Sequence, residues 1–185
     1  MKLFLILLFL VTFLFGQIPT YESKNIIIYN IHPDSTTIVF WGGLNYATPK
    51  WLVSQTPKKK FSKYNFVFLS YFTTLETAKK VYFNKLGNKL NPKILIGFSR
   101  GGLMAQKYYS PKYKLVGYID PVLKSNFENK LYSNVVFIYN PYTWNKKYSK
   151  TLMSYGKIIG RRNGLFIIHY LDHIDFPTYF FKQHL

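Results

Sequence analysis

The residues best suited to chemistry gather around one serine. Gly97-Phe98-Ser99-Arg100-Gly101 has the pattern G-x-S-x-G, with Gly102 directly after it. The apolar run Ile94–Phe98 leads into the motif, and Gly101–Tyr109, a segment able to form a helix, follows it. A serine on a strained strand-to-helix turn is held out from the backbone, and glycines on either side leave room where a side chain would collide with neighbouring chain. The helix after the turn aims its positive N-terminal end at the place where negative charge develops as a carbonyl is attacked. A glycine-rich turn with a capping serine would carry the same letters, so the partners of Ser99 decide. A hydroxyl is a poor nucleophile without a base, and the base needs an orienting carboxylate. With four Asp, three Glu and four His, the chain offers few candidates. It contains no Cys, which removes disulfides, thiolate metal sites and a cysteine nucleophile.

The elements that must position these groups alternate along the chain. Asn25–Ile31 and Thr36–Trp41 are rich in β-branched residues and read as strands. The turn residues His32-Pro33-Asp34-Ser35 between them predict an antiparallel hairpin near the N-terminus. Gly42-Gly43 ends the second strand. Phe66–Ser70 is the next strand. A capping box with Thr73 as cap and Glu76 three residues on opens a helix whose apolar face is Leu75, Ala78, Val81, Tyr82 and Leu86, with Gly87 as its stop. Ile94–Phe98, Leu115–Ile119, Val135–Tyr139 and Leu165–Tyr170 read as further strands. Val122–Tyr132, Trp144–Tyr155 and Phe176–His184 read as helices. Several strands are continuously apolar, as expected where both faces of a sheet are covered. The pattern predicts an α/β fold: a three-layer sandwich around a mostly parallel sheet, with an N-terminal β-hairpin, forming one domain over residues 24–185.

Outside that domain, Met1-Lys2 and the apolar run Leu3–Phe15, closed by Gly16-Gln17-Ile18-Pro19, have the order of a secretory signal peptide. The run is short for a membrane span, which takes about 20 residues, so residues 1–18 are expected to be a signal peptide or a membrane anchor, making the protein secreted or membrane-associated. The formal charge of +18, from 25 basic and 7 acidic residues, suits a solvated surface and attraction to anionic surfaces such as acidic lipid. Lys58-Lys59-Lys60 is the only run of three, and no nucleic-acid-binding motif accompanies the charge.

The order of strand, glycine loop, strand, helix, strand, serine turn, helix, strand, Asp, strand, histidine loop and helix over residues 36–185 resembles the α/β-hydrolase superfamily. Gly97–Gly102 (GFSRGG) is similar to the turn of its chlorophyllase-like and lipase-like members. Gly117–Val122 (GYIDPV) resembles the Gly-x-x-Asp-Pro segment of lipases. The resemblance implies a base in the loop after the last strand, where Leu171-Asp172-His173-Ile174-Asp175 places His173. His169 falls inside the strand, His32 in an early turn and His184 at the C-terminus. It implies Asp120 as the acid. Asn140 stands at the more common acid position, while Asp172 and Asp175 lie close to His173 in sequence and suit holding the loop. It implies an oxyanion hole from the backbone amides of Arg100 and of Gly43 or Leu44.

The expected reaction is acyl transfer from an ester to water through a Ser99–His173–Asp120 triad, which needs no metal or organic cofactor. The apolar N-terminus, the aromatic residues and the basic charge point to a lipid or other apolar ester. The rival readings are a hydrolase fold kept as a binding or membrane-attached protein without catalysis and a basic nucleic-acid-associated protein.

Overall fold

A computed structural model describes residues 18–30, 34–44, 47–123, 134–140, 165–167 and 171–185. The expected helices over 122–132 and 144–155, together with His32, His169 and the segment 1–17, lie wholly or largely outside these residues. Among the described residues, no helix is long and apolar enough to cross a membrane.

One eight-stranded sheet organises the chain. Its strands are β1 (Tyr21–Glu22), β2 (Ile26–Tyr29), β3 (Thr37–Trp41), β4 (Asn65–Leu69), β5 (Ile94–Phe98), β6 (Leu115–Ile119), β7 (Val135–Tyr139) and β8 (Leu165–Ile167). They lie side by side in the order β1-β2-β4-β3-β5-β6-β7-β8. All neighbours from β4 to β8 are parallel, and β2 is antiparallel to β4.

The predicted hairpin between Asn25–Ile31 and Thr36–Trp41 does not form. β4 separates the two strands, and the N-terminal hairpin is instead β1 with β2, Tyr21 opposite Ile28. The reason is burial. Phe66, Val67, Phe68 and Leu69 of β4 are all fully buried, so this strand needs a neighbour on each edge, and β2 and β3 supply them. Short spacing and turn residues suggested the hairpin, and the demand of a more apolar strand overrode them.

The sheet divides the core in two because alternate side chains point to opposite faces. Val39 and Trp41 of β3 belong to one core with Leu95, Tyr118 and Phe137, and that face is covered by α3 (Leu75–Leu86) and α4 (Gly101–Lys107). Ile38 and Phe40 belong to the other, covered by α1 (Pro49–Gln55), α2 (Lys58–Phe61) and α5 (Phe176–His184). The sequence reading passed over α1 and α2, although Thr48-Pro49 is a usable start signal: the Thr48 hydroxyl accepts from the Trp51 amide and Pro49 opens the first turn. The α3 cap is Thr74 in place of the expected Thr73, and its hydroxyl accepts from the Thr77 amide. Thr73 is engaged elsewhere. Its carbonyl takes the Trp41 indole N–H at 2.8 Å and its hydroxyl bonds to that of Ser70. Glu76 accepts from the Tyr108 hydroxyl across to the end of α4, a bond that holds its carboxyl below the usual range. Gly87 ends α3 at φ +70°, as a left-handed cap requires.

Helix α5 packs where β6 has no side chain. A Cβ on Gly117 would stand 2.6 Å from the Phe180 ring, and Phe180 is fully buried. Gly117→Ala is therefore expected to overpack this contact and destabilise the protein by about 1–3 kcal/mol, read as a lower urea midpoint with an unchanged slope. A midpoint equal to wild type would refute the close approach of α5.

Candidate active site

The strand order creates the place for a site. From β3 the chain moves outward to β4, then returns across β3 to β5. The crossover after β3 holds α1 and α2 on one face, and the segment after β5 becomes α4 on the other. Loops leaving adjacent parallel strands in opposite directions open a crevice at their carboxyl ends. Gly42-Gly43 leaves β3 at this switch point, and Ser99 leaves β5 beside it.

Ser99 follows β5 with φ +52°, a left-handed conformation uncommon for a residue with a Cβ. Its surroundings hold it there. Its amide donates to Ile119 O at 2.9 Å, and its carbonyl accepts from the amides of Gly102 (3.0 Å) and Val122 (2.8 Å). The glycines around it are set by space. A Cβ on Gly97 would come within 2.4 Å of the Gly101 carbonyl, and one on Gly101 within 2.3 Å of the Trp41 carbonyl. A Cβ on Gly43 would lie 2.9 Å from Ser99 Cβ and 3.2 Å from Ser99 Oγ, which puts the Gly43 backbone directly beside the hydroxyl.

Asp120 occupies the same station on the next strand. Phe98 pairs with Ile119, so Ser99 and Asp120 both step off the ends of adjacent parallel strands. Asp120 also has positive φ, +38°, is fully buried, and donates its amide to Ile138 O. Its carboxylate oxygen Oδ2 is hydrogen-bonded to Nδ1 of His173, itself buried. A carboxylate taken out of water needs such a partner. With Nδ1–H turned to the carboxylate, Nε2 is left as the basic nitrogen. The imidazole packs on Phe98, ring centroids 4.5 Å apart, and Phe98 stacks on Trp51 at 5.3 Å. The His173 ring is thus held against the residue that precedes Ser99.

The structure sets the Gly43 backbone beside Ser99 and bonds Asp120 to His173, while Ser99 and Asp120 follow adjacent strands. Leu44 continues the loop from Gly43, and Arg100, exposed, caps α4. Among the described residues the backbone amides of Gly43, Leu44 and Arg100 donate to no carbonyl. Asp172 and Asp175 are exposed at the turn around His173, where the Asp175 amide donates to Asp172 O. His184 is far along α5, and burial lowers its pKa. Among the described residues no three His, Asp or Glu side chains are grouped to hold a metal ion. The sequence reading missed the stacked rings of Trp51 and Phe98, whose only signal was an apolar run, and noted Asn140 only at the more common acid position; its side-chain amide donates to Leu171 O at 3.0 Å.

No family model matches the sequence, and no curated protein is similar to it in sequence. Solved structures are similar in fold. The esterase domain of a Rhodothermus marinus protein superposes with a TM-score of 0.59 at 11% identity, over 87% of this chain and 90% of that one. A CIB-like hydrolase from Thermoplasma acidophilum gives 0.56 at 15% identity, over 88% and 94%. Esterase PE8 gives 0.51 at 17% identity, over 88% and 99%. The sheet order, the serine turn after β5 and these likenesses agree on one architecture: the chain has a small α/β-hydrolase fold.

Proposed function

We propose that the protein is a serine hydrolase that cleaves carboxylic esters through a covalent acyl-enzyme. The observation that carries this reading is the buried Asp120–His173 pair at the end of β6, the strand next to the one that ends in the positive-φ Ser99. Ser99 Oγ attacks the ester carbonyl carbon while its proton passes to Nε2 of His173. Asp120 holds the ring and stabilises the imidazolium. The oxyanion takes hydrogen bonds from the Arg100 amide and from that of Gly43 or Leu44. The imidazolium then gives its proton to the departing alkoxide, and water, deprotonated by the same nitrogen, releases the acid and restores Ser99. The esterases of similar fold favour this reaction class over a hydrolase fold that only binds.

An apolar acyl or alcohol group suits the surroundings. Trp51, half-buried, stacks on the buried Phe98, and Ile174, next to His173, is 49% exposed. We assign residues 1–18 to export or membrane attachment, and the basic surface to attraction toward anionic lipid, which would bring the enzyme to such esters.

Purified protein lacking residues 1–18 is expected to react with a fluorophosphonate probe, and Ser99→Ala and His173→Ala are expected to abolish the labelling while remaining folded. A folded wild-type protein that does not label would leave a hydrolase fold used for binding alone. Gly43→Ala pushes a methyl group toward Ser99 Cβ and Oγ. It should lower kcat by about a hundredfold or more, the scale of losing one oxyanion donor. Steady-state ester hydrolysis at the wild-type rate would remove Gly43 from the site.

A further inference from the structure

The described residues ahead of α5, 171–175, lie largely at the surface. Leu171 is half-buried, Asp172, Ile174 and Asp175 are exposed, and only His173 turns inward. Such a loop does not fix an imidazole by packing alone. The Asp172–Asp175 turn shapes it locally. The loop's backbone is tied to the sheet by the bond from Asn140 Nδ2 to Leu171 O, two residues before His173. Asn140 directly follows β7, two residues after Ile138, whose carbonyl receives the Asp120 amide. The same strand end therefore touches both halves of the acid–base pair: its backbone supports Asp120 and its side chain supports the loop of His173.

We propose that Asn140 is a positioning residue that sets the register of His173 against Asp120 and Ser99; this rests on the serine hydrolase reading above. The chemistry explains an amide here. Leu171 O can only accept, so the residue facing it must donate, which an ionised carboxylate cannot do. A carboxylate at 140 would also put a second negative charge, largely buried, at the end of the strand that bonds the Asp120 amide. Asn140 is 8% exposed, so the bond is shielded from competing water.

The test compares wild type with Asn140→Leu, similar in shape but without the donor, and with Asn140→Ala in case leucine disturbs folding. Two readouts are taken: hydrolysis of a p-nitrophenyl ester, and the proton NMR signal of the His173 Nδ1–H, assigned by its loss in His173→Ala. The expected result is a fall in kcat of about three- to tenfold, the scale of one hydrogen bond, with KM unchanged and the Nδ1–H signal broadened by exchange. A merely structural role would lower the melting temperature and leave kcat and the signal of the folded fraction as in wild type, which would overturn the proposal. If wild type hydrolyses no ester, the hydrolase reading fails, and the Nδ1–H signal decides the positioning role alone: broadening in the variants supports it, and an unchanged signal overturns it.

Discussion

The structure depends on a lack of space at the carboxyl ends of β3, β5 and β6. Three backbone segments meet there: the glycine loop after β3, the serine turn, and the start of α4. They approach so closely that a Cβ at Gly97 or Gly101 would overlap a backbone carbonyl. Ser99 is held at φ +52° by three backbone hydrogen bonds within this crowd. Such a conformation costs about 1–3 kcal/mol and persists only where its surroundings over-determine it. Here the fully buried strands on either side supply that determination, and the result is a Ser99 only 2% exposed at the carboxyl end of β5.

A second constraint is electrostatic. Asp120 is wholly buried, and a charge in that position without a partner would be costly. The histidine that bonds to it comes from 53 residues further along the chain. Its arrival depends on α5, whose Phe176, Phe180 and Phe181 are fully buried against the sheet, with Gly117 left bare to admit the Phe180 ring. The aromatic core on that face thus does more than stabilise the fold. It sets the height of the final helix and so of the loop ahead of it, while Asn140 fixes that loop from the sheet side.

Much of this was legible in the sequence because local rules were obeyed where it mattered. Ile94–Phe98, Leu115–Ile119, Val135–Tyr139 and Phe176–His184 have the bounds that their apolar patterns suggested. Asp120 and His173 sit together as the resemblance to the superfamily implied. What escaped was non-local. The pairing of β2 was decided by the burial of β4, a strand nearly forty residues later. The α3 cap moved by one residue because Trp41, on another strand, claims the Thr73 carbonyl. Helices α1 and α2 are short, and their apolar residues are too few to show a period. Asn140 was visible only as a departure from the usual acid position, since its bond to Leu171 joins two segments that no sequence pattern connects.

The central claim is that Ser99 becomes a covalent nucleophile. The direct measurement is mass spectrometry of peptides from a reaction with a p-nitrophenyl ester, quenched in acid during turnover. The account predicts one acyl group on the peptide containing Ser99, absent in His173→Ala over the same interval. Ester hydrolysis in wild type with the acyl group found only on lysine or tyrosine side chains, or continuing undiminished in Ser99→Ala, would contradict it.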